Sequence, residues 1–246
     1  MHFVREGSGS PALLFVHGFA CNHEDWRFQL DHFSNSHEVV ACDLRGHGKT
    51  PGRAHECTIE HFGGDVAALI VHLDLKNAIL VGHSMGCRVV LEANRITSDR
   101  IAGIALVDGS RQAAVPPPIE DYPAFAENLF RQMFFKTTPE SEAIVARAVR
   151  TSRDFGPHLW PAMARWDLQQ MEPALEAARC PILAIQSTTR GADLRRSPMK
   201  PGETNPYLDL LKSKGARVEI VPDTGHFTML EQPQLVNRVI ASYMGR

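Results

Sequence analysis

Six short apolar runs, separated by stretches of helical periodicity, constrain this chain more than any other feature of its sequence. They are ALLFV (12–16), EVVACDL (38–44), AILVG (78–82), IALVD (104–108), PILAIQ (181–186) and RVEIV (217–221). Each is rich in aliphatic or β-branched residues and bounded by Gly, Pro or Asp, as strands buried on both faces are. Between them, 59–74, 85–97 and 231–244 carry apolar residues at helical spacing. The alternation predicts an α/β fold: a mostly parallel central sheet of about seven to eight strands with helices on both faces. HFVRE (2–6) reads as an additional strand at the N-terminal edge.

The rhythm fails from 112 to 171, where no buried strand can be read. VPPPIEDYP opens the stretch, and helical segments follow with Phe125, Phe130, Phe134, Phe135, Trp160 and Trp166. So many large apolar side chains are not left in water. The stretch is expected to be a helical cap inserted into a core formed by 1–111 and 172–246. Most of its aromatics should pack it against the sheet. Some of Phe130, Phe134, Trp160 and Trp166 should face a pocket.

Composition narrows the classes of function. The chain has 246 residues and a formal charge of −2 without long like-charge blocks. Nothing in it calls for a polyanionic partner, so nucleic-acid binding is not expected. Five cysteines without CxxC spacing suggest free thiols in a reducing compartment, with no disulfide framework and no zinc site. MHFVREGSGSP lacks a signal-peptide pattern, and no apolar run approaches the roughly 18 residues of a membrane span. The expectation is a cytoplasmic protein with a small-molecule substrate, no membrane partner, no metal and no cofactor.

GHSMG (82–86) directly follows AILV and precedes the amphipathic CRVVLEANR. A strand, then G-x-S-x-G, then a helix is the context of a nucleophile elbow. A serine on so tight a turn needs small neighbours, which Gly82 and Gly86 supply. The helix that starts beside it turns free N–H groups toward developing negative charge. Ser84 is therefore the candidate nucleophile, and it needs a base. Of the 12 histidines, His32, His37, His55 and His72 read as surface or turn residues. His226 lies after the last strand, in PDTGHFTMLEQP, where parallel order brings it to the same sheet edge as Ser84. Two N–H donors for an oxyanion hole are expected from Met85 and from Phe19, in the loop HGFACNHEDW after the ALLFV strand. His17 reads as a structural residue of that loop more than as a second base.

VHGFA, CDLRGHGKT, VGHSMG and DTGHF occur in the order and at about the separations of the α/β-hydrolase superfamily. The resemblance covers the whole chain apart from the insertion, which falls where that superfamily carries its cap. It implies structural roles for Asp43, Arg45 and His47. Cys87 stands where many relatives have a second glycine. Relatives most often place the acid of the triad in the loop after the PILAIQ strand, but here that loop reads IQSTTRGADLRRSP. Arg190 falls about where the acid should be, and Asp193 comes some three residues late. The other position used in the superfamily is the end of the preceding strand, occupied here by Asp108. Asp108 is the preferred acid, Asp193 the alternative, and a dyad without an acid the third reading.

The resemblance implies a serine hydrolase that cleaves a small, fairly apolar carboxylic ester or lactone through an acyl-enzyme intermediate. Ser84 departs from the aspartate nucleophile of related dehalogenases and epoxide hydrolases. Two alternatives stay open. One is hydrolysis of C–C bonds in diketone-type ring-fission products. The other is cofactor-free, ring-opening dioxygenation by a His–Asp pair.

Overall fold

A computed structural model describes residues 1–191 and 195–245. Strands β1 (Phe3–Glu6), β2 (Leu13–Val16), β3 (Val39–Cys42), β4 (Ala78–His83) and β5 (Ile101–Val107) alternate with helices α1 (Arg27–Phe33), α2 (Ile59–His72) and α3 (Met85–Thr97). After β5 come α4 (Tyr122–Arg131), α5 (Pro139–Ser152), α6 (Gly156–Gln169) and α7 (Met171–Ala177). The chain returns to the sheet as β6 (Ile182–Gln186), forms a hairpin of β7 (Thr188–Arg190) and β8 (Arg196–Pro198), and continues through α8 (Pro206–Ser213). It ends with β9 (Arg217–Ile220), α9 (Thr228–Glu231) and α10 (Pro233–Met244).

The main sheet has seven strands in the order β1-β3-β2-β4-β5-β6-β9. All pairs are parallel except β1 with β3. Every residue of β2, β3, β4 and β6 is buried, because helices cover both faces. The edge strands β1 and β9 are only partly buried, and this fits the mixed polarity of FVRE and RVEI. All five cysteines are free thiols. No helix among the described residues is long and apolar enough to cross a membrane.

Residues 112–171 contain helices and no strand. Side-chain contacts fasten this segment to α3, the helix that follows Ser84, among them Arg95 Nη1 to Gln170 Oε1 at 3.0 Å. Arg88 grips Asp167 of α6 through Nε–Oδ1 at 2.7 Å and Nη2–Oδ2 at 2.6 Å, and Trp166 Nε1 donates to Glu92 at 3.1 Å. Both members of the ion pair are buried, and the Gln112 N–H also donates to Asp167 at 2.8 Å. Removing either partner would strand a buried charge.

The β7–β8 hairpin has no sequence signal, since TTR and RSP carry neither apolar alternation nor a strong turn pair. Backbone bonds from Gly191 N to Arg195 O (2.8 Å) and from Met199 N to Ser187 O (2.8 Å) flank it. Its register sets Arg190 directly opposite Arg196.

Candidate active site

Parallel order puts the C-terminal ends of β4, β5 and β6 on one edge, and the site is built there. Ser84 follows β4 with φ 53° and ψ −111°, a conformation that L-residues rarely adopt and that costs about 1–3 kcal/mol. The strain is held from three sides. The Ser84 N–H donates to Val107 O at 2.9 Å, tying the turn to β5. A Cβ on Gly82 would lie 2.3 Å from the Gly86 carbonyl oxygen, and one on Gly86 would lie 2.4 Å from that of Val16. Both glycines are needed because backbone approaches backbone, and neither has a positive φ. Cys87 fits beside them, buried, with Sγ 3.2 Å from Gly82 O.

Asp108 directly follows β5, also with positive φ (47°). Its carboxylate is fully buried and saturated. Oδ1 accepts from the amides of Ser187 (2.8 Å) and Thr188 (2.9 Å), while Oδ2 accepts from Thr188 Oγ1 (2.7 Å) and His226 Nδ1 (2.5 Å). Burial opposes ionisation. The His226 hydrogen bond and charge, with Arg196 and Thr188, outweigh it and hold the carboxyl at about 2.

His226 lies in the loop between β9 and α9 and is fixed at three points. Its amide donates to Met133 O (2.6 Å), its carbonyl accepts from His83 Nε2 (2.9 Å), and its Nδ1–H donates to Asp108. The last bond selects the tautomer whose Nε2 carries a lone pair. Nε2 is buried without a hydrogen-bond partner among the described residues, and His226 and Ser84 line the same cavity. Burial and Arg196 lower the imidazole to about 4 against the opposing pull of Asp108, so it is a neutral base at pH 7.

Phe19 and Met85 line this cavity too. Among the described residues, neither amide takes part in a turn or cap hydrogen bond, so both N–H groups are available to an oxyanion. His17 is committed elsewhere: its Nε2 accepts from the Leu44 amide (3.0 Å) and its Nδ1–H donates to Gly18 O (2.8 Å). With burial holding it near 4, it stays a neutral strut beside the oxyanion loop. Asp43 caps its own loop, Arg45 grips Asp65, and His47 Nδ1 bonds to Arg45 O (3.0 Å).

The cavity is narrow, with about 30 Å³ of room for the centres of water-sized molecules. Phe130, Met133, Trp160 and Met163 form an apolar wall. Phe134 instead stacks on Phe227 with ring centroids 4.6 Å apart, and Trp166 bonds to Glu92 on α3. Opposite charges are not balanced around this space. Arg88, Arg190 and Arg196 line it, and no Asp or Glu does among the described residues. Sequence reasoning noticed Arg190 only as a cation standing where relatives place the acid, and it missed Arg196 and His83. His83, the variable residue of the elbow, is buried, neutral to about 3, and supports His226. Asp193, the alternative acid, lies outside the described residues.

No cofactor cradle is evident among the described residues. His2, His23 and Asp43 offer three metal-ligand atoms within 4.8 Å of one another. Asp43 there already accepts the amides of His23 (2.8 Å) and Lys49 (2.9 Å), which makes it first a structural carboxylate.

Over 107 residues the chain is 35% identical to the dihydrolipoyllysine-residue acetyltransferase component of the acetoin cleaving system of Cupriavidus necator. That match covers 44% of this chain but only 29% of the relative's length. Epoxide hydrolase 3 of Xenopus tropicalis is 25% identical across 99% of this chain and 74% of its own. Among solved structures, Est816, described as an N-acyl homoserine lactone degrading enzyme, superposes with a TM-score of 0.77 at 22% identity, covering 98% of this chain and 96% of that one. The model of the alpha/beta hydrolase family matches residues 13–239, and the chain belongs to that family.

Proposed function

We propose that the protein is a serine hydrolase that cleaves a small carboxylic ester or lactone by way of an acyl-enzyme. The observation that carries this reading is His226, held by Asp108 at 2.5 Å, with Nε2 lacking a hydrogen-bond partner among the described residues, lining the same cavity as Ser84. His226 takes the Ser84 proton as Oγ adds to the substrate carbonyl. The oxyanion is met by the Phe19 and Met85 N–H groups. The C–O bond to the leaving alkoxide breaks as imidazolium returns the proton to it. A water molecule, deprotonated by the same nitrogen, then releases the acid and restores Ser84. Asp108 offsets the imidazolium charge in both halves.

In this reading 112–171 is a cap, and its wall of Phe130, Met133 and Trp160 takes the apolar part of the substrate. An epoxide-opening route of the aspartate-nucleophile kind has no carboxylate at position 84 to form its intermediate. Labelling by a fluorophosphonate, with turnover of p-nitrophenyl acetate, tests the proposal. Label on Ser84, abolished in Ser84→Ala together with turnover, is the expected result. Turnover surviving in Ser84→Ala within about tenfold sinks it, as does oxygen uptake with a hydroxyquinolone that needs His226 but not Ser84.

A further inference from the structure

The hairpin after β6 carries two guanidiniums that the reaction above leaves unused. Arg190 and Arg196 are cross-strand partners, so both side chains leave the same face of the hairpin, and both line the cavity with Ser84. Like charges set directly opposite one another are destabilising. Arg196 is compensated, with Nη1 3.6 Å from Asp108 Oδ2 and 2.9 Å from Thr188 Oγ1. Arg190 is not. Among the described residues its Nε and Nη2 are buried without hydrogen-bond partners, and its guanidinium lies 5.3 Å over the Trp160 ring. Burial and Arg196 lower it to about 10, which still leaves it charged at neutral pH. Two shielded N–H edges on a partly buried cation are costly to leave unmet unless something completes them.

The unmet groups indicate what would complete it. Nε and Nη2 form the edge by which Arg45 and Arg88 each engage both oxygens of a carboxylate. Arg45 holds Asp65 by that edge at 2.7 and 2.7 Å, and Arg88 holds Asp167 by it at 2.7 and 2.6 Å. Trp160 Nε1–H, a donor only, is also buried without a partner on the same cavity. Arg190 further lines an adjoining groove, shared through Ser110, Gln112 and Arg196, so an anion entering from that side meets it before Ser84. We propose that Arg190 binds a carboxylate of the substrate side-on, so that the esters or lactones taken by this site carry a free carboxylate in addition to the bond that is cleaved. Selectivity then divides between the walls: the cap side accepts hydrocarbon, and the hairpin side fixes the charged end.

The inference rests on the serine-hydrolase reading, and its test separates the two. p-Nitrophenyl butyrate and the p-nitrophenyl half-ester of succinate share a leaving group and an acyl length and differ in one carboxylate. The wild type should favour the half-ester by about tenfold or more in kcat/KM. Arg190→Met should lower that ratio by about 10- to 100-fold, mostly through KM, as the loss of a bidentate charged contact would. Arg190→Lys should restore only part of it, since an ammonium lacks the planar fork. Calorimetry on the wild type reads binding without turnover. Succinate should bind, while succinamide and inorganic phosphate at equal ionic strength should not. A wild-type preference for the butyrate, a ratio within threefold in Arg190→Met, or succinamide or phosphate binding as well as succinate each overturns the carboxylate assignment. Succinate binding lost in Arg190→Met, with neither ester turned over, would sustain that assignment and sink the hydrolase reading instead.

Discussion

Among the described residues two buried His–Asp pairs have nearly the same construction, and only one of them shares a cavity with Ser84. Asp43 follows β3 and Asp108 follows β5, each fully buried at the C-terminal end of its strand. Each accepts two backbone N–H groups and one imidazole Nδ1, from His23 at 2.8 Å in the first case and from His226 at 2.5 Å in the second. What separates them is the sheet order. β5 adjoins β4, which ends in Ser84, whereas β2 stands between β3 and β4. His226 therefore shares a cavity with a strained serine and two free amides. His23 shares its surface with Glu24, Asp25 and Arg147. A carboxylate-oriented imidazole is common structural material. In the proposed reaction it is the neighbouring strands that make it a base.

Loss of the nucleophile should break the comparison most completely. Ser84→Ala and His226→Ala should each lower kcat/KM for p-nitrophenyl acetate by more than about 10⁴-fold, and the double variant should be little worse than either single one. Additive losses would show that the two residues do not act as a unit.

Asp108→Asn should lower kcat by about 10³–10⁴-fold, because an amide can favour the tautomer with Nε2 protonated. The matching change at the other pair, Asp43→Asn, is the control, and comparable kinetic losses in the two would dissolve the distinction drawn here. Asp193→Asn should be mild.

Acid sensitivity sharpens the picture at a smaller scale. His226 is lowered from 6.5 to about 4, so the base form is kept as pH falls through 6 and 5 and is lost only near 4. The acid limb of kcat/KM for a neutral ester should lie well below the ordinary histidine value. Arg196 is one of the charges that hold it there, and Arg196→Met should move the limb toward higher pH. An unmoved limb in that variant would remove the cation from the account.

The smallest kinetic effect is expected at Asp43. Asp43→Asn should leave kcat/KM within about threefold while lowering unfolding stability by about 1–3 kcal/mol, read from denaturant midpoints, because buried donors lose their acceptor. Its carboxyl is held below the usual range: burial opposes ionisation, but the bonds from Lys49 and His23 outweigh it. The wild-type stability that it contributes is present above the unfolded carboxylate value of about 3.9 and lost as pH falls through its lower folded value.

The elements were legible where local pattern and tertiary role agree. AILVG and IALVD read as buried strands and lie at the centre of the sheet, and 85–97 is α3 residue for residue. The helix read over 231–244 is α10, opened by Pro233, and the short α9 that precedes it was not read. The β7–β8 hairpin was not legible, because its six residues have no apolar alternation and depend on the walls around them. Arg190 shows the consequence. From sequence it was only a cation where relatives place an acid, and its buried, unpartnered edge among the described residues exists only once the hairpin turns it over Trp160.

The sequence by itself determined the mostly parallel α/β sheet, the elbow and the strand ends on which the site stands. Each depends on residues within a few positions of one another: the small neighbours of Ser84, the buried-type runs and the helix starting at Met85. Sequence could single out His226 and prefer Asp108, but only the tertiary structure decided that their side chains meet and which arginines face the cavity. Asp108 and His226 are 118 positions apart, and no local periodicity encodes a hydrogen bond across that distance. Strand order does, because each parallel crossover returns the chain to the same sheet edge, and burial there leaves each polar group only the partners that the edge supplies.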